Sequence, residues 1–156
     1  MRSKIDSIDL SYYLINSGKF NDLSHLKLQK LLYYIQAWHI VFFDGDKLID
    51  DDFEAWIHGP VSRKIYNQFK DESILHKELE QNNKYDVDLS SLAKEQQELI
   101  DDVLDEYGDK SAYHLECLTH DEKPWIEARG GCQDYERCSN IINNDTVRSY
   151  YESLIA

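Results

Sequence analysis

The stretch LTHDEKPW, Leu118 to Trp125, gathers a hydroxyl, an imidazole, two carboxylates, an ammonium and an indole into eight residues. His120 beside Asp121 and Glu122 has the side-chain types of a general acid–base pair or of a metal ligand set. Adjacent side chains do not converge on one atom unless the fold turns them together. The chain also has no H-E-x-x-H and no second histidine four residues on. The same residues suit a helix junction. Thr119 and Asp121 can satisfy backbone groups where one helix stops, and Pro124 fits the first turn of the next, where its missing N–H is not needed. Trp125 is then bulky enough to plug a core. The junction reading is the expected one, with catalysis as the alternative.

Other candidate groups are scattered. His58 shares one face of a predicted strand with Glu54 and Trp56, a face either covered by Leu118–Trp125 or open to a partner. His39 lies inside an apolar helical stripe and is read as a hydrogen-bonded core histidine. There is no G-x-S-x-G elbow and no glycine-rich phosphate loop among the six glycines. Cys117, Cys132 and Cys138 are odd in number and form no C-x-x-C, against a disulfide framework or a zinc site. Nothing asks for a metal, a cofactor or an enzyme.

The formal charge of −13 speaks against nucleic-acid binding, which needs clustered Lys and Arg, and favours attraction to a basic partner. Two acidic clusters stand out: one from Asp44 to Glu54 and one from Asp101 to Asp109. Each is either a solvated face or a steering surface that raises an association rate. Asp50, Asp51 and Asp52 repel one another, and the local sequence offers them only Lys47, so they are expected to lie exposed and to help bring in a basic partner. Eleven tyrosines suit either an interface or a plain core.

The elements that must position these groups read as mainly α, in one domain spanning residues 1–156 with one small β-hairpin. A helix is predicted from about Lys4 to Ser17, stopped by Gly18. Ser24 caps a long central helix with Leu28, Leu31, Leu32, Ile35, His39 and Phe42 on one face and Lys27, Lys30 and Gln36 opposite. Phe53, Ala55 and Ile57 alternate as a strand, with Lys47–Ile49 as its hairpin partner. Gly59-Pro60 is expected to end the hairpin and open a helix with Val61, Ile65, Tyr66 and Phe69. A short helix around Ile74–Leu79 follows, then one capped by Ser91 and stopped by Gly108. Ser111 caps a shorter helix, Pro124 begins another that ends at Gly130-Gly131, and Asn144 or Asp145 starts the last. The N-terminus has no long apolar run, so neither a signal peptide nor a membrane span is expected, and the cytoplasm is the default compartment.

Three stretches together carry a resemblance. LKLQKLLYYIQAWHI (Leu26–Ile40), FEAWIHGPVSRKIYNQF (Phe53–Phe69) and LTHDEKPW resemble, in order and spacing, the Panacea antitoxin domain, the SocA-like family also described as phage-associated GepA-like. YGDKSAYHLECLTH fits between the second and third. The likeness runs from about Asp22 to the last helix. Two positions depart from the pattern: His58 stands where an aromatic is usual before Gly-Pro, and Ala37 where a glycine is usual before Trp-His. The resemblance implies an antitoxin that neutralises a cognate toxin by direct binding, with action as an adaptor to a cellular protease as a further mode. Many members carry an added DNA-binding segment; the length and charge of this chain lead us to expect no operator binding. The partner-binding residues expected on this reading are Asp50, Asp51, Asp52, Trp56, His58, Arg63, Tyr66, His120, Glu122 and Trp125, with Trp56, His58 and Arg63 sharing a pocket with the Leu118–Trp125 corner. A small metal-dependent or histidine-based hydrolase of prophage origin, using His58 and His120, is the alternative.

Overall fold

The computed structural model describes residues 2–71 and 77–155. Its elements, in chain order, are α1 (Ser7–Asn16), α2 (His25–Phe42), β1 (Phe53–Trp56), β2 (Gly59–Ser62), α3 (Arg63–Phe69), α4 (Lys94–Tyr107), α5 (Ala112–His120), α6 (Lys123–Arg129) and α7 (Asn144–Ser153). The fold is mainly α with a single two-stranded hairpin among the described residues, as the sequence predicts. Among those residues no helix is long and apolar enough to cross a membrane.

Helix α2 is the axis of the molecule. It packs against α4, α5, α7 and β2, and Leu28, Leu31, Leu32, Ile35 and Ile40 are sealed from solvent. Ser24 caps it, its Oγ accepting from the Lys27 N–H at 3.2 Å. The predicted polar face is not a solvent face. Lys27, Gln29, Lys30 and Gln36 are all buried, whereas Phe42, assigned to the buried stripe, is 55% exposed. The buried polar side chains serve as partners for backbone groups outside the helix. Lys27 Nζ donates to the Gly108 carbonyl and to Asp22, each at 2.7 Å. Gln29 accepts from the Ser62 N–H at 2.9 Å and donates to the Ser62 carbonyl at 3.2 Å, the pairing a neighbouring strand would supply. Gln36 does the same for Leu48 and Ile49. Lys30 donates to the Pro60 carbonyl at 2.8 Å. A buried polar group must be paired, and these four meet that requirement together with the loops they hold.

That arrangement corrects the hairpin. Lys47–Ile49 is not a strand, because Gln36 takes its backbone groups. β1 pairs instead with β2, in the register Phe53↔Ser62, Glu54↔Val61, Ala55↔Pro60 and Trp56↔Gly59. Gly59-Pro60 therefore begins a strand, and the helix opens only at Arg63, capped by Ser62. A proline is tolerated here because Ala55 turns its N–H to the Asn140 carbonyl (2.9 Å) and its own carbonyl to Arg129 Nη1 (3.1 Å). Ala55↔Pro60 is thus a non-hydrogen-bonded pair, and the missing proline N–H costs no ladder bond.

Three smaller shifts have local causes. α1 starts at Ser7 because the Asp6 carboxylate caps it, accepting from the Ile8 and Asp9 N–H groups; Gly18, at φ +69°, follows its end as predicted. α4 starts after Ala93 rather than Ser91, since Gln96 Oε1 accepts the Ala93 N–H at 2.9 Å while Leu92 is buried in the preceding turn. Of the helix predicted around Ile74–Leu79, residues 74–76 lie outside the described residues, and Glu78 forms an isolated antiparallel bridge with Ser24.

Candidate functional site

The three stretches that carry the family resemblance meet at Gly59. This residue has φ +107°, and a Cβ on it would stand 2.5 Å from Lys30 Cε and 2.8 Å from Thr119 Oγ1. One neighbour comes from α2 and the other from α5, so the glycine is required both by its backbone angle and by the closeness of two other segments. Lys30 cannot readily yield, being fully buried with its Nζ on Pro60. Gly59→Ala is expected to destabilise the protein by about 1–3 kcal/mol, combining a strained φ with overpacking. Urea unfolding checks this, and an unchanged midpoint would mean that the hairpin does not press on α2 and α5.

The Leu118–Trp125 corner is a junction, as expected, and it clamps the hairpin. Asp121 ends α5 through its backbone N–H rather than its carboxylate, Thr119 Oγ1 donates to the Glu116 carbonyl at 2.9 Å, and Pro124 sits in the first turn of α6. Trp125 is buried, and its Nε1 donates to the Trp56 carbonyl at 2.9 Å. The His120 ring stacks on it at 4.1 Å, with Nε2 buried and unpartnered among the described residues. Burial pushes the His120 imidazole below its ordinary value. Glu122 turns the other way, into a tyrosine cluster, where its Oε1 accepts from Tyr34 Oη (2.8 Å) and Tyr151 Oη (2.7 Å). Burial raises its carboxyl, against the pull of those two donors.

On the outer side of the hairpin lies a groove of about 630 Å³. Trp56, His58, Arg63 and Tyr66 line it together, as four of the predicted residues. Arg63 makes a two-pronged pair with Glu54 (2.9 and 3.1 Å) and lies over the Trp56 ring at 5.1 Å. Trp56 Nε1 also donates to Glu54 at 2.9 Å, and Tyr66 meets the Trp56 ring edge-on at 4.9 Å. Burial pushes the Glu54 carboxyl up, but the Arg63 and Trp56 donors outweigh it and hold it below the ordinary value. His58 sits in the hairpin turn, exposed, with Nδ1 3.0 Å from Glu116. His120, Glu122 and Trp125 do not line this groove; the corner supports the hairpin from behind rather than sharing a pocket with it.

Sequence reasoning missed Lys70, Arg137 and the buried His25, which also line the groove. Burial, with the Lys30 charge adding to it, lowers the His25 imidazole to about 4. Lys70 was legible as a cation one turn past Tyr66, whereas no local signal brings Arg137 across from beyond α6. The groove is cationic in a chain whose net charge is −13.

The three adjacent aspartates are separated by the fold. Asp50 pairs with Lys4 at 2.6 Å and Asp52 with Lys47 at 3.4 Å, both exposed. Asp51 is half-buried and accepts from Ser62 Oγ at 2.5 Å, so it also helps hold the end of the hairpin. Among the described residues no group of three or more His, Cys, Asp or Glu side chains is placed to hold a metal ion.

The family model described as "Antitoxin SocA-like, Panacea domain" matches residues 28–126, from the first turn of α2 through the hairpin to Trp125 and Ile126 in α6. No curated protein and no solved structure matches the chain. The matched span covers more than half of the sequence and takes in the segments that converge on Gly59, all but Leu26 and Lys27 of the first and the whole of the other two: the chain belongs to the SocA-like Panacea antitoxin-domain family.

Proposed function

We propose that this protein is the antitoxin of a toxin–antitoxin system, acting in the cytoplasm by binding a cognate toxin directly, without catalysis. The observation that carries the reading is the family match across α2, the hairpin and the α5–α6 corner. The groove described above supports it: aromatic faces beside charged, solvent-reachable groups are the usual make-up of an interface core with its rim. On this reading Trp56, His58, Arg63 and Tyr66 touch the toxin, and Asp50 and Asp52 contribute long-range attraction. Trp125, His120 and Glu122 act through the shape they give the hairpin and corner. Delivery of the toxin to a cellular protease and a phage-borne origin are the finer forms of the same proposal.

The test is co-expression with the product of the adjacent gene. That product is expected to arrest growth alone and to be silenced by this protein. A harmless product, or one that stays toxic in its presence, would sink the reading. A Lys70→Glu/Arg137→Glu double variant should keep the wild-type melting temperature, because both side chains are exposed, and should lose neutralisation. Full neutralisation by that variant would move the contact away from the groove.

A further inference from the structure

A second face has the opposite sign. Along α4, Glu95, Glu98, Asp102 and Glu106 fall three or four residues apart and so form one edge of the helix over three turns. Below that edge runs a groove of about 580 Å³, floored by Leu99 and Val103 and walled by Trp38 and Tyr107. Three large apolar side chains stand out beside it: Phe42 is 55% exposed, Leu154 53% and Ile155 58%. The walls are held in place, since Trp38 Nε1 donates to Tyr107 Oη at 3.0 Å and the Trp38 ring stacks on Phe42 at 5.8 Å. A contiguous apolar surface with a charged rim is the mark of an interaction site.

We propose that this groove docks a basic amphipathic helix of the protein partner, its apolar face on Phe42, Trp38 and Leu154 and its Lys or Arg residues along the α4 rim. The inference rests on the antitoxin reading only in taking the partner to be a protein. The occupant follows from charge and shape. The rim carries four carboxylates against one flanking lysine, Lys94, which precedes Glu95 and lies 3.9 Å from Glu98, so the edge keeps a net negative charge. A second copy would set one acidic rim against another. The rim spans the twelve residues Glu95–Glu106, about 16 Å end to end at 1.5 Å per residue, which a partner helix of about three turns would match. The groove beside Arg63, Lys70 and Arg137 has the wrong sign for this ligand.

The probe is a fifteen-residue helical peptide with leucines on one face and lysines flanking them. It is titrated into isotopically labelled protein beside a scrambled peptide of the same composition. Amide shifts are expected to centre on Phe42, Val103 and Leu154. The scrambled peptide should bind at least tenfold more weakly, as should the helical peptide to Phe42→Ser and to Glu98→Lys/Glu106→Lys. Shifts centred elsewhere, equal binding of both peptides, or affinities unmoved in the variants would overturn the proposal. So would a wild-type dimer that Phe42→Ser abolishes. Because the readout is direct binding, its failure leaves the antitoxin reading standing, while failure of neutralisation in co-expression leaves this measurement intact.

Discussion

Trp125→Ala should melt roughly 6–20 °C below the wild type, the consequence of losing about 3–5 kcal/mol in a chain of this length. The indole is only 6% exposed, so its removal opens a cavity where α6 meets the hairpin. It also strips the Trp56 carbonyl of its donor and the His120 ring of its stacking surface. Trp125→Phe separates the contributions: it retains much of the apolar volume and the ring face while losing the Nε1 bond, and should cost about 1–3 kcal/mol. Wild-type melting of the alanine variant would show that the corner does not support the hairpin.

Raising the pH should stabilise the protein between about pH 7 and pH 10, and Lys30 is the reason. Burial lowers its ammonium from 10.5 to about 7, with the Glu116 carboxylate pulling weakly the other way. Between those two values the unfolded chain holds a proton on Lys30 that the folded chain has released, so stability rises with pH across that window. The full span corresponds to a gain on the order of 5 kcal/mol. His25, lowered to about 4, adds a rise of the same sign between there and 6.5. Above about pH 10 the trend reverses. Burial raises the Tyr33, Tyr34 and Tyr151 phenols, which stay protonated in the folded state after their unfolded counterparts have ionised. In Lys30→Met the rise between pH 7 and pH 10 should flatten, whatever that variant's stability at neutral pH. Urea midpoints at intervals across the window decide it; parallel curves for the two proteins would assign the slope to other groups.

Much of this was legible in the sequence, for identifiable reasons. The apolar repeat of α2, its Ser24 cap, and the Ser111 and Pro124 signals are local, and each element formed where they placed it. The strand character of Phe53–Trp56 was legible from alternation. Its partner was not, because Gly-Pro is ordinarily a helix-opening signal and only the non-hydrogen-bonded register makes it a strand. The sequence places Lys27, Lys30 and Gln36 opposite the apolar stripe and does not reveal that they are buried, because it displays side-chain polarity but not the carbonyls of Gly108, Pro60 and Ile49 that come to meet it. For the site, Trp56, His58, Arg63 and Tyr66 lie within one hairpin and the helix after it, so their grouping followed from short-range spacing. His120, Glu122 and Trp125 are neighbours in the chain that point to different places, a division set by tertiary packing.

The side-chain amides of α2 have one further effect, on cooperativity. A two-stranded hairpin is marginal by itself, and the outer edge of β2 is completed by the side chains of Gln29 and Lys30, while that of β1 is bridged by the backbone of Asn140–Ile142. Peeling β2 away would therefore strand buried polar groups on the central helix as well as on the strand, and the same holds for the loop that Gln36 retains. No cheap partial opening separates the hairpin from the helical core. The outward groove and the helix bundle behind it form one unfolding unit, so a partner gripping the hairpin stabilises the whole chain against proteolysis.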